Sequence, residues 1–71
     1  MQFVINGQSR DFADLRPEST VADLIETLGL KGDRVAIERN GDIVSRADWT
    51  ATPVASGDKF EIVHFVGGGS F

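Results

Sequence analysis

The chain has 71 residues, a net charge of −4 at pH 7 and no cysteine. A length of that order holds one domain, which buries only roughly 60% of the surface its unfolded chain exposes and has little to spare for an enclosed active site. The missing cysteines exclude a disulfide framework, a thiolate nucleophile and a zinc–thiolate centre, and the scattered Lys and Arg do not form the clustered cationic surface that nucleic-acid binding requires.

The composition, 41% hydrophobic and 25% charged, is that of an ordinary globular protein. The opening stretch Met1–Asn6 has neither the charged region nor the long apolar run of a signal peptide. No apolar run approaches the ~20 residues that span a bilayer. The expected location is the cytoplasm, with no membrane partner. The acidic balance steers the chain weakly toward a partner with a basic surface.

Met1 to Ile5 is apolar and β-prone, with Phe3 and Ile5 on one face and Gln2 and Val4 on the other. Asn6-Gly7 follows, the strongest short-range hairpin signal. A second strand is expected over Ser9 to Leu15, with Phe12 and Leu15 as inward anchors. Val21, Leu24, Ile25 and Leu28 then fall at i, i+3, i+4 and i+7, one face of a helix. Thr20 is placed to cap its start, with Asp23 at the third helical position making a weak form of the capping box. Gly29 suits the left-handed position past the end, and Leu30 folds back on Ile25 as in a Schellman ending.

Val35 to Arg39 reads as a strand with Val35 and Ile37 inward, followed by a second hairpin pair, Asn40-Gly41, and a short strand around Ile43 and Val44. Arg46 to Pro53 has no clear period; it is expected to be irregular, anchored by Trp49. Ala55 to Asp58 is a turn. The last strand is expected over Lys59 to Val66, with Phe60 and Ile62 on one side. The predicted order, β-β-α-β-β-β, is that of an α+β domain of the β-grasp or ubiquitin-like type. It implies a mixed sheet of four or five strands with one main helix on one face. By analogy with that fold, the first and last strands sit together in the middle. The domain is expected to span residues 1–66, leaving residues 67–71 as a tail.

Few residues offer chemistry. His64 is the single histidine, and no cysteine or second histidine completes a metal site, so no bound metal is expected. It shares parity with Phe60 and Ile62, which places it at the core margin with its ring reaching solvent. Ser45, Ser56 and Ser70 have nothing that positions them for a nucleophilic triad. Glu38, Arg39, Asp58 and Glu61 read as solvated surface or local ion pairs, and no carboxylate pair has the spacing of general acid–base catalysis. The triple glycine is not a phosphate-binding loop, because no helix follows it. An enzyme in its own right is not expected.

Two features remain. Val63 and Phe65 fall opposite Phe60 and Ile62, on a sheet face that nothing in the chain is long enough to cover, and Val4 points the same way. Such an apolar patch marks a docking surface; the plain alternative is that exposed apolar side chains scattered over a surface are ordinary. Beside it runs Gly67-Gly68-Gly69, a thin thread able to enter a narrow channel. The plain alternative for that thread is a frayed end.

The strings Glu38-Arg39-Asn40 and Glu61-Ile62-Val63-His64-Phe65-Val66-Gly67-Gly68-Gly69, with Trp49 between them, resemble the ThiS family, the ubiquitin-like sulfur carriers of bacterial thiamine biosynthesis. The resemblance implies that an E1-like adenylyltransferase (ThiF-like) consumes ATP to adenylylate Gly69. Sulfur from a cysteine-derived persulfide then turns that carboxylate into a thiocarboxylate. Thiazole synthase (ThiG-like) takes the sulfur into the thiazole ring of thiamine. It also implies that Gly67 and Gly68 thread the partner's channel and that Val63, Phe65 and Val4 form the docking face. No cofactor is implied on the chain itself.

Ser70 and Phe71 depart from the family pattern. They carry the final carboxylate up to about 7 Å beyond Gly69, and a phenylalanine ring would have to fit where glycine does. The expectation is a precursor, trimmed after Gly69 by a peptidase. Three alternatives stand beside the thiazole route: a carrier resembling the small subunit of molybdopterin synthase, a ubiquitin-like protein modifier, and a binding module that is never activated.

Overall fold

The computed structural model describes residues 1–65. The triple glycine, Val66, Ser70 and Phe71 lie outside them, and so does the expected tail. The described residues form an α+β domain in which one helix packs on one face of a five-stranded sheet. The strands are β1 (Gln2–Ile5), β2 (Gln8–Asp11), β3 (Val35–Arg39), β4 (Asp42–Val44) and β5 (Lys59–His64), and the helix α1 is Val21–Thr27. Strand order is β2-β1-β5-β3-β4, with β1 and β5 parallel and the other pairs antiparallel. The first and last strands are thus central neighbours, as expected.

Local chemistry sets the turns. Asn6 and Gly7 (φ 49° and 82°) and Asn40 and Gly41 (φ 52° and 91°) both sit in the left-handed region, where asparagine and glycine are the tolerated residues and where a two-residue hairpin matches the twist of its strands. The helix starts where a reciprocal cap closes it. Thr20 Oγ1 accepts from the Asp23 amide at 3.3 Å, and the Asp23 carboxylate accepts from the Thr20 amide at 2.9 Å. It stops at Gly29 (φ 72°), where the Gly29 amide donates to Glu26 O and the Leu30 amide to Ile25 O at 3.0 and 3.1 Å. That is the Schellman pattern.

Two expectations shift. The second strand covers Gln8–Asp11 instead of Ser9 to Leu15. Its partner β1 is four residues long, so pairing runs out at Gln2↔Asp11; Phe12 donates to Met1 O and the chain turns away at Leu15. Both anchors, Phe12 and Leu15, are buried all the same. The stretch expected to be irregular contains a 3₁₀ helix, Arg46–Ala51. Trp49 is buried there as the expected anchor, its indole N–H donating to Val44 O at 2.9 Å. A Cβ on Gly32 would lie 3.0 Å from the Trp49 ring, so the loop before β3 passes directly over the indole.

The core lies between α1 and the inner face of the sheet. Val21, Leu24 and Ile25 of the helix meet Phe3, Ile5, Ile37, Phe60 and Ile62 of the strands. Phe3 and Phe60 pack edge to face with centroids 5.3 Å apart, the preferred geometry of an aromatic pair. The outer face of the sheet has no layer over it among the described residues. Nor is any helix among them long and apolar enough to cross a membrane.

Candidate functional site

The end of β5 is the route to the glycines, so the site is built around that strand. Inner positions Phe60 and Ile62 are buried and outer positions Lys59, Glu61 and Val63 are exposed, the alternation that a half-covered sheet imposes. Val63 is 58% exposed and Phe65, just past the strand, 52%. Phe65 is tied down by its amide, which donates to Arg34 O at 2.7 Å. These exposures agree with the outward orientation expected for both residues.

The register places Val4 elsewhere. It faces the same side, but it lies beside Lys59, four residues before Val63 and therefore about 13 Å away along the strand. It is also half-buried. The outer neighbour of Val63 is Ala36, and the next row across the sheet is Glu61, Glu38 and Ile43. Ile43 is 77% exposed. Sequence reading placed Ile43 in a strand without assigning its face; the signal was its pairing opposite Glu38 across the Asn40-Gly41 hairpin. The exposed apolar groups are thus Val63, Phe65 and Ile43 around two glutamates, with a shallow groove of about 450 Å³ beside them along Glu38, Asn40, Lys59 and Glu61.

At the start of β5 lies Asp58, expected as a solvated position or one half of a local ion pair. It is only 6% exposed, so it is not solvated surface, and it does form an ion pair, with Arg39. Its carboxylate accepts from Arg39 Nε at 2.7 Å, Asn40 Nδ2 at 3.0 Å and the Ala55 amide at 2.9 Å. Burial pushes its pKa up; the bonds from Arg39, Asn40 and Ala55 and the Arg39 charge outweigh burial and hold it below the ordinary carboxylate value. Asn40 also accepts from the Lys59 amide at 2.9 Å. The Arg39-Asn40 pair is therefore a clamp joining the β3–β4 hairpin to the entrance of β5. Glu38 and Glu61 remain on the surface, as expected.

His64 is exposed, in accord with a place at the core margin. Among the described residues no three His, Asp or Glu side chains gather into a metal-binding group. What the arrangement offers is a rigid strand, an open face and an exit for the chain. The ThiS family model matches residues 3–69, nearly the whole chain and up to the third glycine.

The chain belongs to the ThiS family.

The sulfur carrier protein ThiS of Bacillus subtilis is 34% identical over 65 residues, covering 92% of this chain and 96% of that protein. The crystal structure of the thiamine biosynthesis protein ThiS from Geobacter metallireducens superposes with a TM-score of 0.81 at 29% identity, covering 94% of this chain and 97% of that one. A thiazole synthase of Paramagnetospirillum magneticum is 44% identical over 70 residues, covering 99% of this chain. The chain spans only 21% of that protein's length. In ThiS terms, the Arg39-Asn40 part of the family string is structural, holding Asp58, while the Val63–Phe65 part is the surface that leads to the glycines.

Proposed function

We propose that this chain is a sulfur carrier of thiamine biosynthesis whose acceptor group is the α-carboxyl of Gly69. The observation that carries this reading is the family match ending at Gly69, directly downstream of an exposed strand end whose start is clamped. A carboxylate is a poor electrophile. An E1-like adenylyltransferase with ATP converts it to an acyl adenylate, releasing pyrophosphate, and a sulfur nucleophile then displaces AMP. All of that catalysis belongs to partners. This chain contributes the carboxyl, the Gly67-Gly68 thread, and Val63 and Phe65 as a docking surface, extended by Ile43 in preference to Val4. Without cysteine, the backbone carboxyl is the sulfur handle the chain has available.

Thiazole synthase is the recipient this reading favours over a molybdopterin synthase. Support comes from the relative named thiazole synthase, in which a segment 44% identical to this chain forms part of a longer polypeptide. That match leaves out one residue of this chain, so it runs through Ser70 whichever end it omits. A residue bonded to Gly69 blocks the chemistry, because the carboxyl is then an amide. Ser70 and whatever follows it must be cut away by a peptidase before charging.

Mass spectrometry of two versions tests the reading. The chain ending at Gly69 and the chain retaining Ser70-Phe71 are each incubated with the adenylyltransferase, ATP and a sulfur donor. The expected result is replacement of one oxygen by sulfur on the Gly69-ended version alone. Equal charging of the longer version at Phe71 sinks the assignment of Gly69.

A further inference from the structure

The helix is shorter than the sheet it covers. Seven residues of α1 reach about 10 Å, whereas six extended residues of β5 reach about 20 Å. Beyond the helix C-cap at Leu28 a corner of the inner face is left open, and there a half-open pocket of about 190 Å³ forms. Its walls are the apolar Ile5, Leu28, Leu30 and Ile62, its cationic lining residue is Arg10, and the His64 imidazole lies on its rim. Asn6 also lines it, but that side chain is engaged at both ends, donating to Ile62 O and accepting from Ile62 N.

The size suits one ring or one branched aliphatic group, since an apolar cavity of about 150 Å³ takes up benzene. The charge has one sign. Arg10 stands over the Phe12 ring, 5.3 Å from its centroid, and forms no ion pair among the described residues. No carboxylate lines the pocket. An apolar group entering here therefore places its own anionic neighbour against a cation without breaking an ion pair. The position matters too. His64 directly precedes Phe65, so this corner and the Val63–Phe65 surface lie on opposite faces of the strand end that leads to the glycines.

We propose that this corner is an anchor site for a partner protein, receiving one aromatic or branched aliphatic side chain that carries a carboxylate beside it. A partner that takes up the tail would then hold its root from both faces of the sheet, through Val63 and Phe65 on one and through this pocket on the other. The choice of a tail-handling protein as occupant rests on the sulfur-carrier reading. The pocket's preference for an apolar acid does not.

The probe is 3-phenylpropionate, with 3-phenylpropanol as its uncharged counterpart, titrated into the full-length protein while amide shifts are followed by NMR. The expected result is saturable movement of Asn6, Leu30 and His64 at millimolar acid, with the alcohol binding several-fold more weakly. Arg10→Gln should reduce the acid to the alcohol's affinity while the rest of the spectrum is unchanged. In a binding assay against the adenylyltransferase and thiazole synthase, the same variant should weaken at least one complex roughly tenfold. No localised shifts, equal binding of acid and alcohol, or unchanged affinity for both partners would overturn the proposal. Probe binding is read without any charging of Gly69. A failure of the carrier reading therefore shows up in the charging experiment, and a failure of the pocket shows up here.

Discussion

The two ends of β5 are built on opposite plans. At its start, Asp58 is buried and receives three hydrogen bonds, from a β3 guanidinium, a hairpin amide side chain and a turn N–H. At its finish, Val63, His64 and Phe65 are exposed and the last described tie is one amide, Phe65 to Arg34 O. The lesson is positional. If the glycines are taken up by a partner, as proposed, their placement has to come from the strand before them. Fixing Lys59 to the β3–β4 hairpin fixes where the strand points, while Val63 and Phe65 at its far end stay about half exposed.

The contrast breaks most completely when its shared support is removed. Phe60 is fully buried against Phe3, and Phe60→Ala should cost about 4 kcal/mol, read from the urea midpoint. Most of a small domain's stability would go, and both ends of β5 would lose their frame together. Asp58→Asn attacks the clamped end alone. It leaves the half-buried Arg39 without its counter-charge and should cost about 3 kcal/mol at neutral pH.

That variant also carries a signature in pH. Because the folded-state pKa of Asp58 lies below the ordinary value of 3.8, its ionised form stabilises the fold. The stabilisation is complete above 3.8 and is lost as the pH falls through the lower folded value. Wild type should therefore weaken below 3.8 more steeply than Asp58→Asn, in parallel urea titrations; equal slopes would remove Asp58 from the account. At the open end the stability effects shrink. Val63→Ser and Phe65→Ser should each leave the thermal midpoint within the equivalent of about 0.5 kcal/mol, while reducing affinity for the adenylyltransferase in a direct binding measurement. A large stability loss with unchanged affinity would make them packing residues and reverse the assignment of that end.

How much could be read in advance follows the range of the interactions involved. The helix was legible because all its signals are local: Thr20, Asp23, Gly29 and Leu30 lie within a turn of the ends they close. Both hairpins were legible for the same reason, from Asn-Gly pairs that require positive φ. The burial of Asp58 was not, since two of its three partners are 18 and 19 residues away and a Gly-Asp turn reads the same whether exposed or buried. The ends of β2 were illegible because a strand stops where its partner stops, and the length of β1 is not written in β2. The 3₁₀ helix over Arg46–Ala51 escaped because its one buried side chain is a tryptophan, too little to display a period. On the candidate site, outward Val63 and Phe65 followed from parity. The distance of Val4 from them did not, because parity gives the face of a strand and only register gives the position along it.

One side chain makes the parallel pair longer than its backbone allows. β1 ends at Ile5 and turns, yet the Asn6 carboxamide accepts from the Ile62 amide at 2.7 Å and donates to Ile62 O at 3.1 Å. It stands in for a peptide unit that the turning chain has carried away. In hydrogen–deuterium exchange the Ile62 amide should therefore behave as an interior sheet proton in the wild type, although no strand backbone faces it. Asn6→Ala should release that proton by an order of magnitude or more, at a stability cost of about 1 kcal/mol, with Phe60 still protected. A single amide signal, directly ahead of the exposed end, would then report whether the hairpin turn is closed.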